Sequence, residues 1–150
     1  SWGKLGCDLS YYTLFRHIQK QDLGGWFLIV EDDVQILPKI MELEKYLPKW
    51  VGRYHYVRLY QKTQDWSETR RITQKLSWMN FQSGTVAQLI HRSGVDLLLS
   101  KLPMTDPIDL WIGHHREDLK AVTYRPQVVV NLGAKGKRDK SSKLGSTIWN

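Results

Sequence analysis

An apolar run that ends in three acidic residues is the feature that most limits how this chain can fold. The stretch WFLIVEDDVQIL begins at Trp26, and five apolar residues lead directly to Glu31, Asp32 and Asp33. An unbroken apolar run predicts a central strand that is covered on both faces. Because a buried, unpaired carboxylate is strongly destabilising, we expect the three acids at the point where this strand leaves the core.

Apolar spacing before this strand predicts an amphipathic helix in CDLSYYTLFRHIQKQ, which starts at Cys7. Asp8 or Ser10 is the expected cap at its start. Its buried face is predicted to contain Leu9, Tyr12, Phe15 and Ile18.

The rest of the chain alternates between helical and extended patterns. Helices are predicted in LPKIMELEKYLPKW, RSGVDLLLSKL and DPIDLWIGHHRED, and short strands in YHYVRLYQK, TRRITQKLSWM, GTVAQLIH and LKAVTYRPQVVV. Strands that alternate with helices are typical of an α/β sandwich. Since no segment has the composition of a linker, the pattern predicts a single domain over residues 1–150.

The charge and composition of the chain indicate which kinds of molecule it can bind. The formal net charge is +7, and much of it lies in AKGKRDKSSK, within a tract predicted to be flexible over residues 133–145. A basic, flexible tract suits a nucleotide diphosphate, a nucleic-acid backbone or an anionic membrane, although a solvated loop has the same composition. The single cysteine, Cys7, excludes an internal disulfide. No apolar stretch reaches the roughly 18 residues that a membrane span needs.

The acidic trio suggests a site for a hard divalent cation. Ligands bind in the crevice beyond the carboxyl ends of the strands in open α/β sheets, and carboxylates there favour Mg²⁺ or Mn²⁺. Alternation along an extended chain would place Glu31 and Asp33 on one side and Asp32 on the other. The alternative is a charged strand end at which Asp32 or Asp33 caps the next helix.

Several short motifs, in shared order, resemble glycosyltransferase family 25, the group of lipooligosaccharide and procollagen galactosyltransferases. The motifs are GCDLSYY at Gly6, LIVEDDV at Leu28, GTVAQLI at Gly84, HRSGVDLLL at His91, DPIDLWI at Asp106, YRPQVVV at Tyr124 and GSTI at Gly145. Two positions depart from the family pattern, because Tyr11 stands where the family usually has His and Gln88 where it has Tyr. The family's N-terminal portion has no counterpart before Ser1.

The resemblance implies an α/β fold of the GT-A type, incomplete at the N-terminus. It implies a manganese- or magnesium-dependent glycosyltransferase that moves a hexose, galactose or glucose, from a nucleotide sugar such as a UDP-hexose to a glycan or glycolipid acceptor such as lipooligosaccharide, with inversion. By position, Glu31 and Asp33 would hold the metal, Asp32 would contact the donor diphosphate, and Asp109 would be the catalytic base.

Cations of the basic tract would add to the stabilisation of the leaving diphosphate. The candidates are Lys135, Lys137 and Arg138. A cytoplasmic enzyme with peripheral contact to the inner membrane is expected from this tract. Two alternatives remain open at this point: a basic nucleic-acid-binding module, which leaves the acidic trio unexplained, and a non-catalytic remnant of the transferase fold.

Overall fold

A five-stranded mixed sheet organises the chain in a computed structural model that describes residues 2–62, 69–82 and 84–133. Its strands are β1 (Trp26–Val30), β3 (Tyr56–Arg58), β4 (Leu76–Trp78), β5 (Ala87–His91) and β6 (Val122–Tyr124). Their order across the sheet is β1-β5-β3-β6-β4, and only the pair β3 and β6 is parallel. Two further strands, β2 (Val34–Ile36) and β7 (Val129–Asn131), form a separate antiparallel ribbon.

Helices cover both faces of the sheet. The described helices are α1 (Trp2–Lys20), a 3-10 helix (Pro38–Lys45), α2 (Leu47–Trp50), α3 (Arg92–Ser100) and α4 (Ile108–His114). The first face packs against α1, α3 and α4, and the second face packs against the 3-10 helix and α2. Each predicted segment contains a helix or a strand, and the α/β class is confirmed, but the single helix predicted in LPKIMELEKYLPKW is a 3-10 helix followed by the separate short helix α2. Within the described residues, no helix is long and apolar enough to cross a membrane.

The prediction that the Trp26 strand lies at the centre of the sheet is wrong. β1 is the edge strand, hydrogen-bonded within the described sheet to β5 alone. On its second face Leu28 is 41% exposed and Val30 is 37% exposed. An apolar run shows that both faces of a strand are apolar, but it does not reveal how many neighbouring strands that strand has. The central strand is β3, whose three residues are all buried.

The predicted burial face of α1 also needs correction. The buried side chains are Tyr11, Phe15 and Ile18, whereas Leu9 and Tyr12 are exposed. Tyr11 and Tyr12 belong to two apolar stripes at helical spacing, and periodicity alone did not identify which stripe meets the sheet.

Neither predicted cap acts at the start of α1, which begins at Trp2. Asp8 accepts a hydrogen bond from the Ile108 backbone N–H at 2.8 Å and so caps α4 instead. Ser10 donates to the Gly6 carbonyl within the helix.

A serine between two histidines fixes the start of α3. The His91 side chain caps this helix by accepting the Ser93 N–H. The Ser93 hydroxyl lies 2.9 Å from His91 Nδ1 and 2.6 Å from His55 Nδ1. Burial lowers the pKa of His91, and burial followed by the charges of Lys120 and His91 lowers the pKa of His55. Both imidazoles are therefore held toward their neutral forms.

Candidate active site

Glu31 lies immediately beyond the carboxyl end of β1, as the sequence predicted. Its backbone N–H donates to the Val86 carbonyl at 2.9 Å. Its carboxylate accepts a long hydrogen bond, 3.5 Å, from the buried Thr85 hydroxyl. Glu31 is thus attached to the segment that leads into β5, which is the neighbouring strand.

Asp109 reaches the same segment from the first turn of α4. Its Oδ2 accepts the Gly84 N–H and its Oδ1 accepts the Leu110 N–H, each at 2.9 Å. Gly84 has a φ of +111°, a conformation that glycine adopts without strain. Two backbone N–H groups therefore orient the carboxylate that the sequence put forward as the base.

The half-buried thiol of Cys7 lies within electrostatic range of both of these acids. Its pKa is raised first by burial, then by the charges of Glu31 and Asp8, and further by Asp109. Glu31 and Asp109 lie far apart in the sequence, and the fold brings them to the two consecutive residues of the segment Gly84–Thr85.

Asp33 occupies a different environment from Glu31. β1 ends at Val30 and a turn follows at Asp32 and Asp33, so strand alternation does not extend over the trio. The Asp33 carbonyl accepts the Leu132 N–H at 2.9 Å, and its carboxylate lies so close to Gly133 that a Cβ there would overlap it. Asp32 is exposed.

Neither Asp32 nor Asp33 caps the next helix. That helix is the 3-10 helix, whose N-cap is Leu37 and which has no side-chain capping bond. The alternative interpretation of the trio as a helix cap is therefore wrong.

The carboxylates at the end of β1 fit a divalent cation only in part. Within the described residues, no three His, Cys, Asp or Glu side chains are grouped as a metal site. Asp33 Oδ1 is nevertheless buried and has no hydrogen-bond partner. A buried carboxylate oxygen without a partner suits a cation that takes few protein ligands and completes its shell with phosphate oxygens and water, as Mg²⁺ commonly does.

A buried hydrogen-bond chain beneath the site was missed by the sequence reasoning. Tyr56 Oη donates to Gln88 Oε1 at 3.1 Å, Gln88 Nε2 donates to Tyr11 Oη, and Tyr11 Oη donates to the Thr85 carbonyl at 3.3 Å. Burial raises the pKa of Tyr11 to about 12, and it also raises the pKa of Tyr56. The signal in the sequence was a glutamine inside the apolar strand GTVAQLIH.

Arg58 is a second buried polar residue that the sequence reasoning missed. It lies on β3, is 5% exposed, and donates to Gln61 Oε1 and to the side chain and carbonyl of Asn80. Its Nε has no partner, and burial lowers the pKa of the guanidinium to about 10. Within the part of the chain that the structure describes, no acidic side chain forms an ion pair with it.

Three of the predicted diphosphate ligands cannot be placed. Lys135, Lys137 and Arg138 lie outside the described residues, as does the predicted flexible tract from residue 134 onward.

A comparison with protein-family models shows which family the chain belongs to. The model described as "Glycosyltransferase family 25 (LPS biosynthesis protein)" matches residues 1–105, which is more than half of the 150-residue chain. The chain belongs to glycosyltransferase family 25. The comparison with curated proteins finds no match. Membership of family 25 implies a sugar donor and a glycan acceptor, and it confirms the resemblance drawn from the motifs.

The family match covers some of the candidate site and not all of it. The acidic trio, Gly84 and Gln88 lie inside residues 1–105, and Asp109 lies beyond them. The assignment of Asp109 therefore depends on its hydrogen bond to Gly84 and on its place in the DPIDLWI motif.

Proposed function

We propose that this family 25 member transfers a hexose, galactose or glucose, from a UDP-sugar to a glycan acceptor such as lipooligosaccharide, with inversion. The observation that carries the proposal is the meeting of Glu31 and Asp109 at the segment Gly84–Thr85. Two carboxylates that bind consecutive residues of one short segment can serve the two parts of a transfer, which are departure of the diphosphate and deprotonation of the acceptor. The proposed fold is of the GT-A type.

The donor's diphosphate would lie at the carboxyl end of β1. Asp33 and Glu31 would hold Mn²⁺ or Mg²⁺, and Asp32, which is exposed, would approach the diphosphate side of that ion. A bound divalent ion supplies Lewis-acid stabilisation of the charge on the departing diphosphate. Lys135, Lys137 and Arg138 would add further positive charge.

Asp109 would accept the proton of the acceptor hydroxyl. The acceptor oxygen forms a bond to the anomeric carbon as the bond from that carbon to the diphosphate oxygen breaks on the opposite side, which inverts the configuration. The proton passes to the Asp109 carboxylate, and UDP leaves with the electron pair. A carboxylate offers about four acceptor positions, so the two that bind Gly84 and Leu110 leave others for the hydroxyl.

The positive charge of the chain also bears on its location. A chain with a formal net charge of +7 is attracted to anionic lipid surfaces. We propose that its glycan acceptors are lipid-anchored and that the protein is cytoplasmic, with peripheral contact to the inner membrane.

A transfer assay tests the proposed function. Wild-type protein is incubated with UDP-galactose or UDP-glucose, Mn²⁺ and lipooligosaccharide acceptors, and UDP release and glycan mass are followed. Asp109→Asn should lower the transfer rate by about 10²- to 10⁴-fold, which is the usual contribution of a general base. Asp118→Asn is the matched control, because Asp118 is an exposed acid whose described ion pair is with Lys101. UDP binding without transfer would indicate a non-catalytic remnant, and a near-normal rate in Asp109→Asn would exclude that residue as the base.

A further inference from the structure

We propose that Tyr11 and Gln88 are a coupled positioning pair that holds Thr85, and through it Glu31, in the geometry needed for donor binding. This role rests on the proposed function, since it concerns the same acidic end of the sheet. It involves two residues that do not contact the donor in that proposal.

The pair belongs to a hydrogen-bond chain whose direction is fixed. Gln88 uses its Oε1 to accept from Tyr56 and its Nε2 to donate to Tyr11. Tyr11 accepts from Gln88 and therefore has its own O–H available to donate to the Thr85 carbonyl. Tyr11 is 8% exposed, Gln88 is 1% exposed and Tyr56 is 3% exposed, so water cannot readily replace a lost partner.

The hydrogen-bond chain ends at Thr85, and two contacts join this part of the backbone to Glu31. The Thr85 hydroxyl donates to the Glu31 carboxylate, and the next residue, Val86, accepts the Glu31 backbone N–H. Loss of the Tyr11 hydroxyl would leave the Thr85 carbonyl without this donor. We expect the segment to shift and to move the Glu31 carboxylate with it.

The two residues contact each other between α1 and β5. A substitution that changes the size of one partner alone would disrupt the pair. The imidazole in a Tyr11→His variant is shorter than the phenol it replaces, and the ring in a Gln88→Tyr variant would overfill the space of an amide. A double variant makes one partner smaller and the other larger.

A double-mutant cycle tests the coupling. The variants are Tyr11→Phe, Gln88→Met and the two combined, with urea unfolding and calorimetric titration of UDP in Mn²⁺ as the two readouts. Each single change should weaken UDP binding by about ten-fold, and the double variant should lose little more than either single variant, since both break the same chain. Tyr12→Phe is the matched control, because Tyr12 lies next to Tyr11 on α1, is exposed, and accepts a hydrogen bond from Arg16 on the same helix.

A size-compensating double substitution gives a second measurement that a merely structural role would not produce. Tyr11→His combined with Gln88→Tyr should bind UDP more tightly than either single substitution. Additive losses in the cycle would overturn the coupling. Variants that unfold more easily but bind UDP with wild-type affinity would overturn the positioning role. If the wild-type chain itself failed to bind UDP in Mn²⁺, the proposed function and the positioning role would both fail, while the urea cycle would still decide the coupling.

Discussion

The two faces of the central sheet differ in the chemistry of their buried residues. On the first face, under α1, α3 and α4, four buried polar side chains lie directly opposite one another across four strands. This polar row consists of Gln88, Arg58, Thr123 and Ser77. At the same level on the second face, the neighbouring positions are Leu89, Val57, Val122 and Trp78, and all are apolar. At this level the first face therefore buries hydrogen-bonding groups, although the rest of its core is apolar, and the second face has only hydrocarbon and aromatic side chains.

The second face has the organisation of a stabilising core. Trp50 from α2 contacts the rings of Trp26, Tyr46, Tyr54 and Tyr124, with centroids 5.5–6.5 Å apart. Buried aromatic side chains contribute stability through the apolar area they remove from water and through favourable ring geometry. None of these side chains is needed to explain the candidate site.

The first face includes groups that lower stability. Arg58 Nε and Thr123 Oγ1 are both buried without a hydrogen-bond partner, and each such group is destabilising by about 1–3 kcal/mol. The polar row leads from the centre of the sheet to Gln88, and from there to Tyr11, Thr85 and the candidate site. Among the described residues, Tyr124 Oη on the second face is also buried without a partner, so the feature that distinguishes the first face is the polar row connected to the acids.

The largest effect is expected when a hydroxyl is placed on the apolar face. Val122→Thr adds a hydroxyl to a fully buried position of the second face, where the surrounding cluster is apolar. We expect the free energy of unfolding to fall by about 1–3 kcal/mol, because the new hydroxyl loses its water without gaining a partner. Urea unfolding followed by tryptophan fluorescence measures the change.

The reverse substitution at the adjacent residue should have the opposite sign. Thr123→Val removes a hydroxyl that has no partner and keeps the shape of the side chain. We expect the free energy of unfolding to rise by about 1 kcal/mol. A loss of stability similar to that of Val122→Thr would show that the two faces do not differ as described.

The smallest effect concerns pH and the histidine pair at the start of α3. The pKa values of His55 and His91 are lowered in the fold from their ordinary value of 6.5. Near and below that ordinary value the unfolded chain binds more protons than the folded chain. The two neutral histidines therefore contribute fully to the free energy of unfolding at higher pH. This contribution is lost as the pH falls through the lowered pKa values. The thermal midpoint should decrease as the pH falls below the ordinary value of about 6.5.

A capping variant isolates this contribution. His91→Asn keeps a good helix cap but removes one titrating group. Its midpoint should depend less steeply on pH below about pH 6.5 than that of the wild type. Equal slopes in the two proteins would contradict a role for His91.

Sequence patterns predicted where helices and strands occur better than they predicted which elements pack against one another. The apolar run of β1 correctly located a strand and the acids after it, but an edge strand and a central strand have the same apolar composition when helices cover both sides. The pair Tyr11 and Tyr12 offered two helical stripes, and only packing against the sheet selected Tyr11.

The candidate site was predictable where the backbone emerges from a strand and less so where contacts are distant in sequence. Glu31 followed from its position after β1. The bond from Gly84 to Asp109 joins residues 25 positions apart, and the bond from Gln88 to Tyr11 joins residues 77 positions apart. Neither spacing leaves a periodic signal in the sequence. Asp8 is a residue type that commonly caps helices, but it caps α4 by accepting the N–H of Ile108, which is 100 residues away in the sequence.

Binding of a donor diphosphate through a divalent ion at the acidic end of β1 is the central claim. Calorimetric titration of UDP with and without Mn²⁺, in wild type, Asp33→Asn and the control Asp118→Asn, tests it most directly. We predict that wild type and the control bind UDP only when Mn²⁺ is present, and that Asp33→Asn weakens this binding by at least about ten-fold. UDP affinity that is the same without Mn²⁺, or unchanged in Asp33→Asn, would contradict the claim.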